Sequence, residues 1–287
     1  MSAPIIESFF DPASFSLTYL VYDQASRQAI VIDPVLDFDA AAMRIDTHSA
    51  QKLLDLIKQK QLTLSWIFET HVHADHLTAA HWLKRQTNAS IAIGENISQV
   101  QATFNQLFEL TGDDAGASQH FDRLLKDGDT IEVGGLQINV LATPGHTPSC
   151  CTYVIGENAF VGDTIFMPDF GTARCDFPSG DARQLYRSLQ KTLALKPETQ
   201  LYMCHDYMPG GRELRWQTTV AEQKADNIHI RDGISEEQFV AMRTERDSQL
   251  PVPKLILPAL QINMRAGRLP NVSEQGTAFL KLPINRF

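Results

Sequence analysis

Cysteine is scarce in this chain of 287 residues. Cys150, Cys151, Cys175 and Cys204 are the four present, and their spacing builds neither a disulfide framework nor a Cys-x-x-Cys zinc site. Free thiols fit a reducing compartment. Long apolar runs are missing too, and nothing approaches the roughly 18 continuous apolar residues of a membrane span. The opening stretch MSAPIIESFFDPASF has acidic residues and no basic segment before an apolar run. No secretory or organellar signal is read there, and a cytoplasmic location is expected. Positive charge is in short supply, with 25 Lys and Arg against 34 Asp and Glu for a net −9. Phosphate backbones call for a clustered positive surface, so nucleic acid is not an expected partner, while a small anion held by local arginines stays compatible. Repeats, low-complexity tracts and flexible linkers are absent. The 43% hydrophobic content suffices for a large core without disulfide support. One domain over residues 1–287 is expected, with 208–287 a C-terminal extension packed on it.

What is present alternates between strand and helix patterns. Residues 18–24 and 28–34 read as a hairpin around a polar turn, and 63–70 as a strand. Residues 49–62 place Leu53, Leu54, Ile57 and Leu62 near helical spacing. Residues 74–88 read as a helix with Asp75 near its N-cap, and 89–95 as a buried strand. Residues 129–147 read as two strands around Gly134–Gly135 and then a loop, 151–166 repeats that pattern, and a helix at 180–195 and a strand at 199–207 follow. LPVPKLILP, residues 250–258, reads as extended chain because of its three prolines. The interleaving predicts a layered α/β fold with mixed sheets.

Histidine and aspartate gather where these strands end. THVHADH places His71, His73, Asp75 and His76 after one strand, His146 follows a second, Asp163 a third and His205 a fourth. Any one of them reads as a core or capping residue, and Asp75 alone as a helix cap. Four strand ends offering ligand-type side chains together read as a metal site.

The segments THVHADH, TPGHT, VGDTIF and CHDY resemble the successive motifs of the metallo-β-lactamase superfamily over about residues 5–230. The resemblance implies a four-layer αββα sandwich with one or two metals at the edge between its sheets. In the dinuclear hydrolases, one ion takes the positions matching His71, His73, His146 and Asp163. The other takes those matching Asp75, His76, Asp163 and His205. All seven are present, so a dinuclear zinc thioester hydrolase of the glyoxalase II kind stays open, as does a non-catalytic regulatory metal-binding protein.

RCDF (174–177) and HDY (205–207) resemble the persulfide dioxygenases, the family of the human ethylmalonic encephalopathy protein. That resemblance implies a single Fe(II) on His71, His146 and Asp163, with His73, Asp75, His76 and His205 around it. Two histidines and one carboxylate suit non-haem ferrous oxygen chemistry. The implied reaction oxidises glutathione persulfide, or a related low-molecular-weight persulfide, with O₂ to sulfite and glutathione. Arg174 and Tyr207 match positions associated with the substrate pocket, and Arg212 is a further candidate for a glutathione carboxylate. Arg174 equally reads as a structural partner of Asp176. The segment TIFMPDFGTA after Asp163 is longer than in the mitochondrial-type enzymes and lacks their Gly-Cys-Gly element.

All four cysteines are expected to be buried as small apolar residues. Cys204 is expected to point away from His205 along a strand, while for Cys175, beside Arg174, a thiolate favoured by that cation stays open as an alternative. The apolar segment 253–262 is expected either to cover its own domain or to meet a partner chain in a homodimer.

Overall fold

Every residue of β2 (Ser16–Tyr22) is buried, because its two faces enter different cores. Successive side chains of a strand point to opposite faces. Leu20 and Tyr22 therefore pack with helix residues such as Leu53, Leu83 and Phe104. Leu17, Tyr19 and Val21 pack with Ile138, Val140 and Phe160 of a second sheet. A strand covered on both sides needs no polar face, and this one is apolar or hydroxyl-bearing throughout.

The computed structural model of the chain describes residues 3–286. The first sheet has the order β1 (Ile5–Asp11), β2, β3 (Gln28–Ile32), β6 (Thr63–Phe68), β8 (Ser90–Gly94) and β9 (Arg123–Leu125). Its first three strands are antiparallel neighbours, and β3, β6, β8 and β9 run parallel. The second sheet runs β10 (Thr130–Val133), β11 (Leu136–Ala142), β12 (Cys151–Ile155), β13 (Asn158–Phe160), β14 (Gln200–Tyr202) and β15 (Gln217–Thr219). A small third sheet joins β4 (Val35–Asp39) to β5 (Arg44–Asp46) and β7 (Leu77–Thr78).

Helices cover both outer faces. α1 (His48–Gln59), α2 (Ala80–Thr87), α3 (Ile97–Leu107) and α7 (Ile256–Asn263) bury apolar residues against the first sheet or its border. α4 (Ala182–Leu193), α5 (Val220–Asp226) and α6 (Glu236–Asp247) cover the second through a cluster holding Leu185, Leu189, Val220 and Phe239. The result is the expected four-layer αββα order. α4 shows how the sequence specifies such a layer. Leu185, Leu189 and Leu193 recur at i, i+4 and i+8 on its buried face, and the Asp181 side chain caps it by accepting from the Gln184 amide at 2.8 Å.

Two expectations need correction. The helix expected over 74–88 begins only at Ala80, with Ala79 rather than Asp75 at its N-cap. The backbone groups an earlier helix would use are already engaged. Asn263 Nδ2 donates to the carbonyls of His73 and His76, both at 2.8 Å, and the Thr78 amide donates to Asn263 Oδ1 at 2.9 Å. The segment 250–258 is not extended throughout, since α7 starts at Ile256 with Pro258 in its first turn, where no amide is needed. Ile256, Ala259, Leu260 and Ile262 are buried against the same chain, so most of this segment is covered without a partner. Among the described residues, no helix is long and apolar enough to cross a membrane.

Candidate metal centre

Each metal-type side chain stands just beyond a strand of the two sheets. β6 delivers His71, the turn after β11 delivers His146, β13 leads to Asp163, and β14 leads to His205. The inter-sheet core fixes these loops by their main chain. Tyr153 donates its hydroxyl to the Glu69 carbonyl at 2.6 Å, and Tyr19 donates to the Met203 carbonyl at 2.5 Å. A buried tyrosine thus supplies apolar packing and one directed bond. Leu17 donates to the Cys204 carbonyl at 2.8 Å, and Asp206 donates to the Phe15 carbonyl at 3.1 Å, bracketing His205. Gly145 permits the TPGHT turn. Its φ is +142°, and a Cβ there would lie 2.4 Å from the Leu185 backbone.

His71, His146 and Asp163 come together, their ligand atoms all within 4.8 Å of one another. Asp163 Oδ2 lies 3.7 Å from His71 Nε2 and 3.8 Å from His146 Nε2. Hydrogen bonds at the far ring nitrogens set both tautomers. His146 Nδ1 donates to the Arg174 carbonyl at 2.8 Å. The Thr70 hydroxyl gives its proton to Asp33 at 2.8 Å, so it accepts from His71 Nδ1 at 3.0 Å. Both rings therefore turn a lone pair on Nε2 toward Asp163. Burial, reinforced by His73 and His146, holds the His71 pKa well below the usual imidazole value, so the ring stays neutral.

His73, Asp75, His76 and His205 form an adjoining group, again with ligand atoms within 4.8 Å of one another. His205 Nε2 is 3.3 Å from Asp75 Oδ2 and 3.4 Å from Asp163 Oδ1, so Asp163 faces both groups. Burial opposes charge on His205, but Asp163 and Asp75 outweigh it and raise its pKa well above the usual value. His73 Nε2 lies 3.1 Å from Asp33 and 3.5 Å from Glu69, two buried carboxylates that offset burial and raise its pKa as well.

The polar atoms here fit a cation. Asp75 Oδ2, Asp163 Oδ1 and both ring nitrogens of His76 and of His205 are buried without a hydrogen bond. Buried polar groups are nearly always satisfied, and a bound cation satisfies acceptors of this kind. The donor set of imidazole and carboxylate suits zinc or iron alike.

A cavity of 260 Å³ opens beside the first group. Phe166, Phe170, Phe177 and Tyr207 give it an aromatic wall, and Arg174 and Arg246 also line it. Tyr207 stacks on His205 with ring centroids 5.4 Å apart and planes 8° apart. Arg174 is held by Asp176 through two bonds of 2.6 Å and donates to the Pro251 carbonyl at 2.7 Å. Its backbone orients His146 while its side chain fastens the pocket rim. Arg212 stands outside the cavity lining. It is clamped between Asp169 at 2.5 and 3.0 Å and Asp206, twice at 2.7 Å. The two carboxylates hold its guanidinium firmly charged and leave little capacity for a further anion.

The four cysteines are buried and free of disulfides. β14 ends at Tyr202, so no strand alternation separates Cys204 from His205. Cys204 Sγ approaches Asp33 Oδ2 at 3.7 Å and lies within 4.8 Å of ligand atoms of Asp163 and His205, instead of pointing away. Cys175 is buried as expected, and burial and then Asp247 push its thiol pKa up, which closes the thiolate alternative.

Asp33, Glu69 and Asn263 were not anticipated. Asp33 has a signal, since it closes the apolar run QAIVID at a strand end like the other acids. Asn263 has none, because it reaches the site from nearly 200 residues away: 190 separate it from His73.

A buried cation-binding cluster at the strand ends of an αββα sandwich defines a metalloprotein. The chain belongs to the metallo-beta-lactamase superfamily, whose family model matches residues 11–205. It is 50% identical to a probable metallo-hydrolase of Burkholderia pseudomallei, covering 98% of this chain and 99% of that protein. It is 32% identical to the mitochondrial persulfide dioxygenase ETHE1 of Homo sapiens, covering 92% of this chain and 90% of that one. The crystal structure of ETHE1 from Myxococcus xanthus superposes with a TM-score of 0.75 at 35% identity, covering 92% of this chain and all of that one, or 100%.

Proposed function

We propose that this chain is an iron-dependent persulfide dioxygenase, with one Fe(II) on His71, His146 and Asp163. The observation that supports this most is the difference in carboxylate partners between the two adjoining histidine groups. His71 and His146 share Oδ2 of Asp163, whereas His73 is drawn toward Asp33 and Glu69. Two imidazoles and one carboxylate on one face suit ferrous oxygen chemistry. The likeness to a persulfide dioxygenase over most of both chains supports the same reading.

When bound, iron would offer open positions for O₂ and the persulfide and would relay electrons from the outer sulfur to O₂. The net change is a persulfide plus O₂ plus water giving thiol plus sulfite. Both oxygen atoms of O₂ go to the outer sulfur, and water supplies the third oxygen of sulfite as the sulfur–sulfur bond breaks. The residues shape that event. Phe166, Phe170 and Phe177 exclude bulk water from the cavity. The Tyr207 phenol, partly exposed at the cavity wall, stays protonated as a donor, its pKa raised by desolvation and then by Asp163 and Asp75. Glutathione persulfide is the proposed substrate, with the outer sulfur toward the metal and the carboxylates toward the rim near Arg174 and Arg246.

The test is oxygen uptake and sulfite release by anaerobically purified, Fe(II)-loaded protein given glutathione persulfide. Uptake is expected, and His71→Ala should lower it at least about 10³-fold, the scale of losing an essential catalytic group. A second reading is a dinuclear zinc thioester hydrolase. It is favoured by Asp163 Oδ1 lying 3.4 Å from His205 and by the metallo-hydrolase relative. Two zinc ions per chain, cleavage of S-lactoylglutathione and no oxygen uptake would establish it instead.

A further inference from the structure

A second cavity, of 310 Å³, lies between the turn after α7 and the loop of residues 112–120. Arg265, Arg268, His120, Gln119 and Asn271 line it, together with Asp113. It shares no lining residue with the metal-side cavity.

Arg265 is the residue that needs explaining. It is only 3% exposed, yet its Nε and Nη1 make no hydrogen bond. Its ion pair with Asp114 is loose, since Oδ1 stays 3.7 Å away and instead accepts from the Asn271 amide at 3.0 Å. A buried guanidinium with idle donors is costly, and such sites are completed by an anion, a carboxylate or ordered water. The surroundings prepare donors of the same sense. His120 Nδ1 accepts from the Ala117 amide at 3.2 Å, so the neutral ring carries its proton on Nε2. Burial, then Arg265 and Arg268, holds the His120 pKa down to about 4. The walls are fixed as well. Gln101 donates to the Met264 carbonyl at 2.8 Å, and Asn105 exchanges two bonds of 2.8 Å with Gly116.

We propose that this cavity binds a small oxyanion-bearing molecule, with its phosphate or carboxylate on Arg265 and Arg268 and neutral donors from His120, Gln119 and Asn271. The volume exceeds that of a bare ion and falls at the lower end of small-molecule sites. Asp113 and Asp114 temper the positive field, which favours a ligand bearing one anionic group over a polyanion such as nucleic acid.

The test is thermal denaturation of the metal-loaded full chain titrated with inorganic phosphate and, separately, with acetate. Chloride at matched ionic strength is the control. A saturable rise in Tm is expected with at least one oxyanion, and the tighter of the two identifies the charged end. Arg265→Met should abolish the rise. Arg268→Gln, at an exposed position, should weaken binding about tenfold or more, as expected for loss of a charge-assisted bond. Metal content should be unchanged in both variants. If Arg265→Met does not fold, Arg268→Gln decides the matter alone. No saturable shift means the idle nitrogens of Arg265 are merely hydrated. A shift surviving Arg268→Gln means the anion binds elsewhere, the metal centre included. Either result overturns the site and leaves the dioxygenase reading untouched.

Discussion

Arg243 and Arg265 are nearly equally withdrawn from solvent, at 1% and 3% exposure, in the same C-terminal segment. Arg243 is fully engaged. It donates to Asp247 at 2.9 and 2.6 Å and to the Thr172 carbonyl at 3.0 Å, while Asp247 also accepts from the Cys175 amide at 2.8 Å. Arg265 has two idle nitrogens beside a cavity. Burial alone therefore does not tell a structural arginine from a receptive one, and the count of satisfied donors does. Arg243 ties α6 to the Thr172 loop beside the metal-side cavity, which it also lines, whereas Arg265 borders the second cavity with two donors idle.

The comparison can be broken most directly at Arg243. Arg243→Met strands a buried carboxylate on Asp247, and breaking such a pair costs about 3–5 kcal/mol. Urea denaturation should show a lower midpoint with an unchanged slope. If the loss is under about 1 kcal/mol, Arg243 is no more structural than Arg265. Asn263→Ala comes next, because it leaves two carbonyls and an amide of the metal loop without partners. A loss of about 1–3 kcal/mol is expected, with about tenfold faster metal release to a chelator, as for other groups that orient ligands. An unchanged release rate would reduce Asn263 to a packing residue.

Acid sensitivity sharpens the Arg243 side further. His229 accepts from the Thr172 amide at 3.0 Å, beside the carbonyl that Arg243 holds. Burial, then Arg243 and Arg246, lowers its pKa to about 4 from 6.5. The unfolded chain therefore binds this proton more readily, and stability rises with pH between the two values. The contribution is complete above about pH 6.5 and is lost as pH falls toward 4. His229→Gln should flatten this part of the Tm-against-pH curve relative to the parent, and parallel curves would exclude the assignment. The smallest effect belongs to Arg265→Met. Replacing an unsatisfied buried charge with an apolar side chain is often neutral or stabilising, so its midpoint without added oxyanion should lie within about 1 kcal/mol of the parent.

Much of the sandwich was legible because its determinants are local. The β-branched and aromatic runs over 18–24 and 28–34 specify strands, and the four-residue recurrence in α4 specifies a helix and its buried face. The gathering of His71, His146, Asp163 and His205 was legible because strand ends of two stacked sheets converge there. Errors arose where a distant side chain overrode local preference. Residues 74–79 have helical composition, but Asn263 takes the backbone groups a helix would use. Arg212 has the fork suited to a carboxylate, but the carboxylates it meets are Asp169 and Asp206 of its own chain. Cys175 sits beside Arg174 in sequence, yet that guanidinium turns to Asp176. No residue-by-residue pattern contains those pairings.

The grip of Asn263 on the His73 and His76 carbonyls also fixes an order of events during synthesis. Those carbonyls leave the ribosome 190 and 187 residues before the side chain that will hold them. At about 5–20 residues per second, that interval is roughly ten to forty seconds. For that time the HVHADH segment belongs to a nascent chain whose metal loop has no brace. The brace on this loop is thus completed only late in translation, after every one of the candidate ligand residues has been made.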